Sequence, residues 1–303
     1  MERYVETFTS SNVTIWFKLR EDIATSTATS TAYRLYYGNS NATAGSDTNL
    51  DTVDNIFTKD FGEAGLLGLW HMDEGAGTTI NDTSGNGNNG TFVNTPAWQA
   101  EDFPQWDGQT ITPFKNGSYL VFADAENDGI TLGNKFGGLT NFFVEAWIQP
   151  QTLAAYRFVM YKEASFIFAI DNTNHPALIT GNGSSWDGWK VANTVLTMGS
   201  RYLVRFQIEG NTWKIFLNGQ LDGSGALAYS GTGNNTQGVD VGYDHVGGQN
   251  WNGGMDELRA GTSMQTVDEA NARYKRRLWV ASDIVAKDGN FAAAGAEQAL
   301  GMG

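Results

Sequence analysis

In "VTIWFKLR" the positions Val13, Ile15, Phe17 and Leu19 fall on one face of an extended segment, and Thr14, Trp16, Lys18 and Arg20 fall on the other. That period of two predicts a strand. A Thr/Ser/Ala-rich connector, "ATSTATSTA", leads to a second expected strand, "YRLYYGN", and then to a polar stretch. From "GLLGLW" onward such segments crowd together: "GSYLVF", "NFFVEAWIQP", "YRFVMYK", "SFIFAID" and "PALIT". In "RYLVRFQIEGNTWKIFLNG" Tyr202, Val204, Phe206 and Ile208 point one way, and Leu203, Arg205, Gln207 and Glu209 the other. Glu209-Gly210-Asn211 supplies the turn, Trp213, Ile215 and Leu217 line the return strand, and Asn218-Gly219 ends it. One helix is expected, over 266–278, where Thr266 and Glu269 form a capping-box pattern with acids first and bases last.

Many short strands separated by Gly/Asn turns, with one peripheral helix, predict an all-β, two-sheet jelly-roll sandwich. The expected organisation is a small N-terminal β unit at 1–60, the sandwich at 64–278 and a tail at 279–303 that acts as a docking arm or a loose end. Composition agrees: 37 Gly, 17 Phe, 11 Tyr and 10 Trp in 303 residues favour strands and turns. The absence of cysteine excludes disulfides, thiolate metal sites and cysteine nucleophiles. A net charge of −14 repels phosphate backbones and anionic lipid, so cations are the expected small partners, with neither nucleic acid nor membrane insertion. No apolar run approaches the roughly 20 residues of a bilayer span. The start lacks the basic-then-apolar order of a signal peptide, so the chain is expected to be either assembled inside a cell or a mature or cloned fragment.

The stretch "WHMDEGAGTTINDTSGNGNNGTF", residues 70–92, sets an aromatic and two carboxylates before a loop of Gly, Asn, Thr and Ser. Asp82, Asn86 and Asn88 sit among Gly85, Gly87 and Gly90, whose freedom lets a backbone wrap an ion. A hard divalent cation wants six to eight oxygens at about 2.3–2.6 Å, from carboxylates, amides and carbonyls. The same residue types also serve plain Asx turns, and both readings stand at this point. Asp73 and Glu74 are ambiguous between ion support and surface.

The segments "GLLGLWHMDEGAGTTINDTSGNGNNGTF", "FVEAWIQP", "TWKIFLNGQLDG" and "VDVGYDHVGGQNWNGGMDELRAGTSMQTVDEANARY" occur in the order found in laminin-G-like, concanavalin A-like lectin/glucanase domains, and the chain resembles that family over about residues 64–275. Residues 1–60, with "YRLYYGNSNATAGSD" and Asp54, resemble the C-terminal part of a domain of unknown function that often precedes such modules in bacterial and viral surface proteins. The resemblance implies a jelly roll, usually non-catalytic, that binds glycans or proteins and often holds a structural calcium. In that case Asp256, in "GGMDELR", joins Asp82, Asn86 and Asn88 as a ligand through the family's pairing of last strand with first.

Other chemistry fits poorly. "SGNGNNGTF" has no Lys and no following helix, so it is not a phosphate loop. No ExDxxE triplet sets two carboxylates on one strand face, and adjacent pairs such as Asp73-Glu74 and Asp256-Glu257 point to opposite faces of a strand. His71, His175 and His245 lie far apart without HExxH spacing and read as packed or surface histidines. Lys275-Arg276-Arg277 complements a helix C-terminus, and the Asn12 and Asn116 sequons follow from composition.

Loop aromatics beside amides and acids suit sugars, whose apolar faces stack on rings. Trp186, Trp189, Tyr243, Asp244, Asn250 and Trp251 form the expected ligand-binding set, the alternative being aromatics that cap the sandwich or meet a subunit. Trp70, Trp147 and Trp213 sit within strand patterns and are expected in the core. The expectation is a non-catalytic adhesion or decoration protein, displayed on a virion such as a phage particle as part of an oligomer and bound to other surface-assembly proteins or to cell-surface glycans. The alternatives are a carbohydrate-binding accessory module of a secreted or cell-surface bacterial protein and, third, a polysaccharide hydrolase.

Overall fold

The computed structural model describes residues 3–8, 13–17, 65–100, 118–244, 248–277, 284–287 and 290–293. The strand expected at 33–39, Asn12, Asn116 and His245 lie outside them. The chain divides into two compact units, one of residues 1–62, 110–114 and 275–303, the other of 63–109 and 115–274. In the first unit β1 (Arg3–Phe8) pairs antiparallel with β2 (Val13–Phe17).

The second unit holds β3 (Leu66–Trp70), β4 (Thr79–Ile80), β5 (Gly90–Val93), β6 (Ala97–Gln99), β7 (Tyr119–Phe122), β8 (Gly129–Gly133), β9 (Asn141–Pro150), β10 (Arg157–Lys162), β11 (Phe166–Ile170), β12 (Pro176–Thr180), β13 (Lys190–Val191), β14 (Tyr202–Glu209), β15 (Thr212–Leu217), β16 (Gln220–Ala226), β17 (Val239–Val241) and β18 (Gly253–Gly261). Helix α1 (Val267–Arg277) follows, and β19 (Ile284–Lys287) pairs with β20 (Asn290–Ala293) in the first unit. Sheet I runs β13-β12-β11-β10-β17-β8-β5-β4, and sheet II runs β16-β15-β14-β9-β18-β7-β6, with β3 also on β18.

Alternation decides which side chains meet between the sheets. Phe142, Val144, Ala146 and Ile148 of β9 and Val204, Phe206 and Ile208 of β14 turn inward to Phe166, Phe168 and Ile170 of β11 and Val239 and Val241 of β17. Phe168 and Phe206 stack across the gap, ring centroids 5.2 Å apart. Each such fully buried side chain contributes roughly 1.5–3 kcal/mol of transfer free energy. The hairpin over 202–217 forms as its alternation predicts, with Val204 opposite Leu217 and Glu209 opposite Thr212. The next turn, Asn218-Gly219, has positive φ at both positions (49° and 75°), as a type I′ turn requires. Gly219 has a second constraint, since an added Cβ would lie 2.6 Å from Cβ of Tyr274 in α1.

The other face of sheet II is covered as well. Leu203, Arg205 and Gln207 are buried, as are Phe143, Glu145 and Trp147 of β9. Trp147 is core as expected, but on this face, where its ring lies 6.0 Å from that of Tyr274. Thr266 caps α1 as its sequence predicts: its N–H donates to Glu269 Oε2 (2.8 Å), and the Glu269 N–H donates to Thr266 Oγ1 (3.3 Å).

Charge is buried here too. Register sets Arg205, Glu145 and Arg259 in one row across β14, β9 and β18. Glu145 lies 3.5 Å from Arg205 and 3.4 Å from Arg259, each side chain about 2 % exposed. The Arg205 guanidinium sits 3.6 Å over the Phe143 ring and donates to the Ser263 carbonyl at 2.7 Å. Gln207 Oε1 accepts the Gln265 N–H, so the row and its neighbour hold the segment leading into α1.

Removing one partner from such a row strands buried charge. Glu145→Ala is expected to destabilise the fold by about 3–5 kcal/mol in urea unfolding. Glu209→Ala, which breaks a half-exposed pair with Lys214, should change it by no more than about 1 kcal/mol.

Candidate functional site

The Gly/Asn loop closes onto β3. Asp82 Oδ1 accepts the N–H groups of Leu69 (3.0 Å) and Ser84 (2.9 Å), and its Oδ2 accepts that of Asn88 (2.8 Å). Asn86 and Asn88 donate their side-chain amides to the carbonyls of Leu66 (2.9 Å) and Leu67 (2.7 Å). Trp70, fully buried, donates its indole N–H to the Asn88 carbonyl. Glu74 accepts the backbone and side-chain N–H groups of Asn81, so it braces the loop. Gly85 and Gly87 take the positive φ the path needs.

Of the four residues expected to ligate calcium, three therefore share this loop. Asp256 lies on β18, opposite Trp147, with its Oδ1 accepting the Glu257 N–H. As placed, these groups fit a hydrogen-bonded turn. A calcium ion would have to share Asp82 with three N–H donors whose dipoles point their positive ends at the same carboxylate.

Sequence spacing missed a different cluster. His71 Nδ1 lies 2.8 Å from Glu257 Oε1, and His71, Asp73 and Glu257 bring ligand-type atoms within 4.8 Å of one another. Arg259 approaches Glu257 at 3.7 Å, so a fixed cation already stands beside it. Only the pairing of β3 with β18 brings these positions together.

The aromatic site lies on the outer face of sheet I. One row crosses that sheet through Ile179, Ile167, Tyr161, Asp240, Thr131 and Thr91, each opposite the next. At the apolar end Phe158, Tyr161, Ile167, Ala169 and Ile179 form a cluster distinct from the main core, with half-buried Tyr156, Trp186 and Trp189 packed on it. Tyr156 and Trp189 stack at 4.8 Å, and Phe158 and Tyr161 at 5.4 Å. The 181–189 segment is held over the strands by the Gly181–Trp186 bridge and by Asn182 Oδ1, which accepts the N–H groups of Ser184 and Ser185. Where the row turns from apolar to polar, Tyr161 donates its hydroxyl to Glu163. Burial first, then Glu163, Asp244 and Asp240, pushes the Tyr161 phenol well above its ordinary range.

Of the expected ligand-binding set, Trp186 and Trp189 pack on this cluster, and Asp244 acts on the same Tyr161. Two expected members do not. Trp251 is fully buried in the core, its indole N–H turned to the Gly254 carbonyl. Asn250, 1 % exposed, is a clasp: its Oδ1 accepts the Asp244 N–H and its amide donates to Asn127. Both residues precede β18 directly, so they are drawn under it. Tyr243 is half-buried, and its Cβ occupies the space that a side chain at Gly129 would need.

A model of the concanavalin A-like lectin/glucanases superfamily, in its laminin G form, matches residues 114–270. The chain belongs to this superfamily. No curated protein sequence matches it. Among solved structures, this lectin-like chain is similar to domain 4 of AbnA, a GH43 extracellular arabinanase from Geobacillus stearothermophilus, in complex with arabinotriose (TM-score 0.55, 16% identity, 69% of this chain and 98% of that one). It is also similar to the binding domain of Paraclostridial Mosquitocidal Protein 1 (0.55, 10%, 70% and 52%). A third is the binding domain of botulinum neurotoxin DC in complex with rat synaptotagmin II (0.53, 12%, 75% and 55%). The chain spans about half the length of the two toxin domains. At these identities the likeness is one of fold.

Asp82→Ala leaves three N–H groups without their acceptor and should destabilise the sandwich by about 3 kcal/mol in calcium-free buffer, at roughly 1 kcal/mol per lost bond. Calcium bound at the loop would appear as a wild-type melting temperature that rises with millimolar calcium, falls on chelation, and does neither in Asp82→Ala. A second outcome concerns Tyr161. Its folded pKa lies above its unfolded value, so the folded state holds the proton longer and stability falls as pH rises through about 10. Denaturation at pH 9 and pH 11 should show this loss in wild type and a smaller one in Tyr161→Phe.

Proposed function

We propose that this protein is a non-catalytic glycan-binding module whose ligand lies on the outer face of sheet I, against Trp186, Trp189 and Tyr156. The observation that carries the reading is the position of three half-buried aromatics on an apolar cluster outside the main core, beside a row of acid and hydroxyl groups. Rings of this kind bury much apolar area for little lost rotamer freedom, and a sugar needs both a ring face and polar partners at its edge. The arabinotriose complex of the Geobacillus arabinanase domain supports the reading by analogy of fold. The non-catalytic part of the proposal is supported by the state of three acids that spacing singles out or register pairs. Glu145 is clasped between two arginines, and Asp82 and Glu74 are spent on backbone N–H groups. Placement at a cell surface or in the extracellular space belongs to the same proposal, since the similar domains of known structure include part of an extracellular enzyme.

The test is binding of a panel of oligosaccharides, arabinotriose included, by titration calorimetry. Trp189→Ala and Trp186→Ala should each weaken binding about tenfold or more, ~1.4 kcal/mol, with little change in melting temperature. Trp98→Ala, on β6 of the other sheet, should leave affinity unchanged. Equal binding by wild type and both shelf variants would place the ligand elsewhere.

A further inference from the structure

We propose that the module carries a second site, for a short neutral saccharide, in the groove between the edge strands of its two sheets; the class of ligand rests on the glycan reading above, the position on other residues. Strand β13 ends sheet I and β16 ends sheet II. Between them lies an open groove of about 350 Å³, lined by Val191, Asn193, Trp213, Leu221, Gly223 and Ser224. That volume falls at the small end of ligand sites, roughly 300–1,000 Å³. Val191 and Leu221 are 40 % and 41 % exposed, so the groove has aliphatic walls open to a ligand.

The Trp213 ring belongs to the main core, and the backbone of β16 lies against it at two glycines. An added Cβ would come within 3.1 Å of Cη2 and Cζ3 at Gly223, and within 2.9 Å of Nε1 at Gly225. A larger residue at 225 would therefore press on the indole N–H. Trp70, Trp98 and Trp251 each give that N–H to a carbonyl. Trp213 gives its own to no acceptor among the described residues, and its nitrogen is not sealed from solvent. A clasp closes the free edge of β16 to an added strand. Asn193 donates its backbone N–H (3.0 Å) and its side-chain amide to the Asp222 carbonyl, and Thr194 donates its N–H (3.1 Å) and hydroxyl (2.7 Å) to the Asp222 carboxylate. An extended peptide cannot run through this clasp, whereas a compact ligand can sit beside it. Asn193 keeps its side-chain oxygen as an acceptor, and no lining residue carries charge. A neutral sugar suits that set: its C–H face rests on Val191 and Leu221, and its hydroxyls exchange hydrogen bonds with Asn193 and the Trp213 N–H. A charged ligand would lose hydration there without gaining a charged partner.

The experiment follows the Trp213 indole N–H by proton–nitrogen correlation NMR, with the signal assigned by triple-resonance spectroscopy, while arabinotriose, cellobiose or lactose is added. The chains compared are wild type, Trp189→Ala, and a double variant carrying Val191→Ser and Leu221→Ser. At least one sugar should shift the signal to saturation in wild type and equally in Trp189→Ala. The double variant, changed only at exposed side chains, should keep its melting temperature and bind about tenfold more weakly or worse by the same signal. The single variants carry the comparison if the double one does not fold. A signal that stays fixed with every sugar, while calorimetry shows binding lost in Trp189→Ala, would overturn the groove and leave the aromatic shelf of sheet I in place. A shift that disappears in Trp189→Ala, or that saturates at unchanged affinity in the double variant, would also overturn the groove. Saturation at Trp213 with total binding indifferent to Trp189→Ala would support the groove and overturn the shelf. Binding of no sugar by either measurement would overturn both.

Discussion

Strand β18 must serve two neighbours along one edge. Its first residues, Gly253 to Met255, pair with β7, and its later ones, Leu258 to Gly261, pair with β3. The change occurs across an irregularity at which Glu257 takes a φ of 51°, a conformation few non-glycine residues adopt. Local bonds support it: the Glu257 N–H reaches Asp256 Oδ1, and the Glu257 carboxylate reaches His71 at the end of β3. Ser118, just before β7, donates to the Met72 carbonyl and fixes the other side of the seam. If β18 could not change partner there, β3 would have no edge and the Asp82 loop nothing to close upon.

The two outer faces of the sandwich then diverge in use. On sheet II the row Arg205–Glu145–Arg259 and the aromatics Phe143 and Trp147 are buried, with α1 held close through Tyr274 and the Gln207–Gln265 bond. That face is spent on structure, and Glu145 together with Glu257, which approaches Arg259, balances its two arginines. On sheet I the row through Tyr161 and Asp240 ends in half-buried rings on one side and in hydroxyls on the other.

The sheets were legible because alternation is a local signal; what failed were features set by register. "NFFVEAWIQP" is apolar on both parities, which marks a strand covered twice, yet Leu203, Arg205 and Gln207 look like a solvent face until Glu145 is placed opposite Arg205. Tyr161 was not read as a site residue because a bulge between Phe158 and Met160 breaks the period of two. That bulge puts Val159 and Met160 both in the core and brings Phe158 and Tyr161 to one outer face. Trp186 and Trp189 were legible as loop aromatics, while Trp251 carried the same local signature and lies inside. No neighbouring residue distinguishes them, since Asn250 is clasped by Asn127, far off in the chain. Display on a virion is not legible in a jelly roll, because folds of this class host many functions.

The partnership between β3 and β18 also orders events in time. Trp70 meets Leu258 only after nearly the whole sandwich has been synthesised. At about 5–20 residues per second that interval is on the order of ten seconds or more. Throughout it the apolar side of "GLLGLW" and the inner rings of β9 and β14 have no closed sandwich to enter. A chain cut short before Leu258 leaves that first strand without its edge.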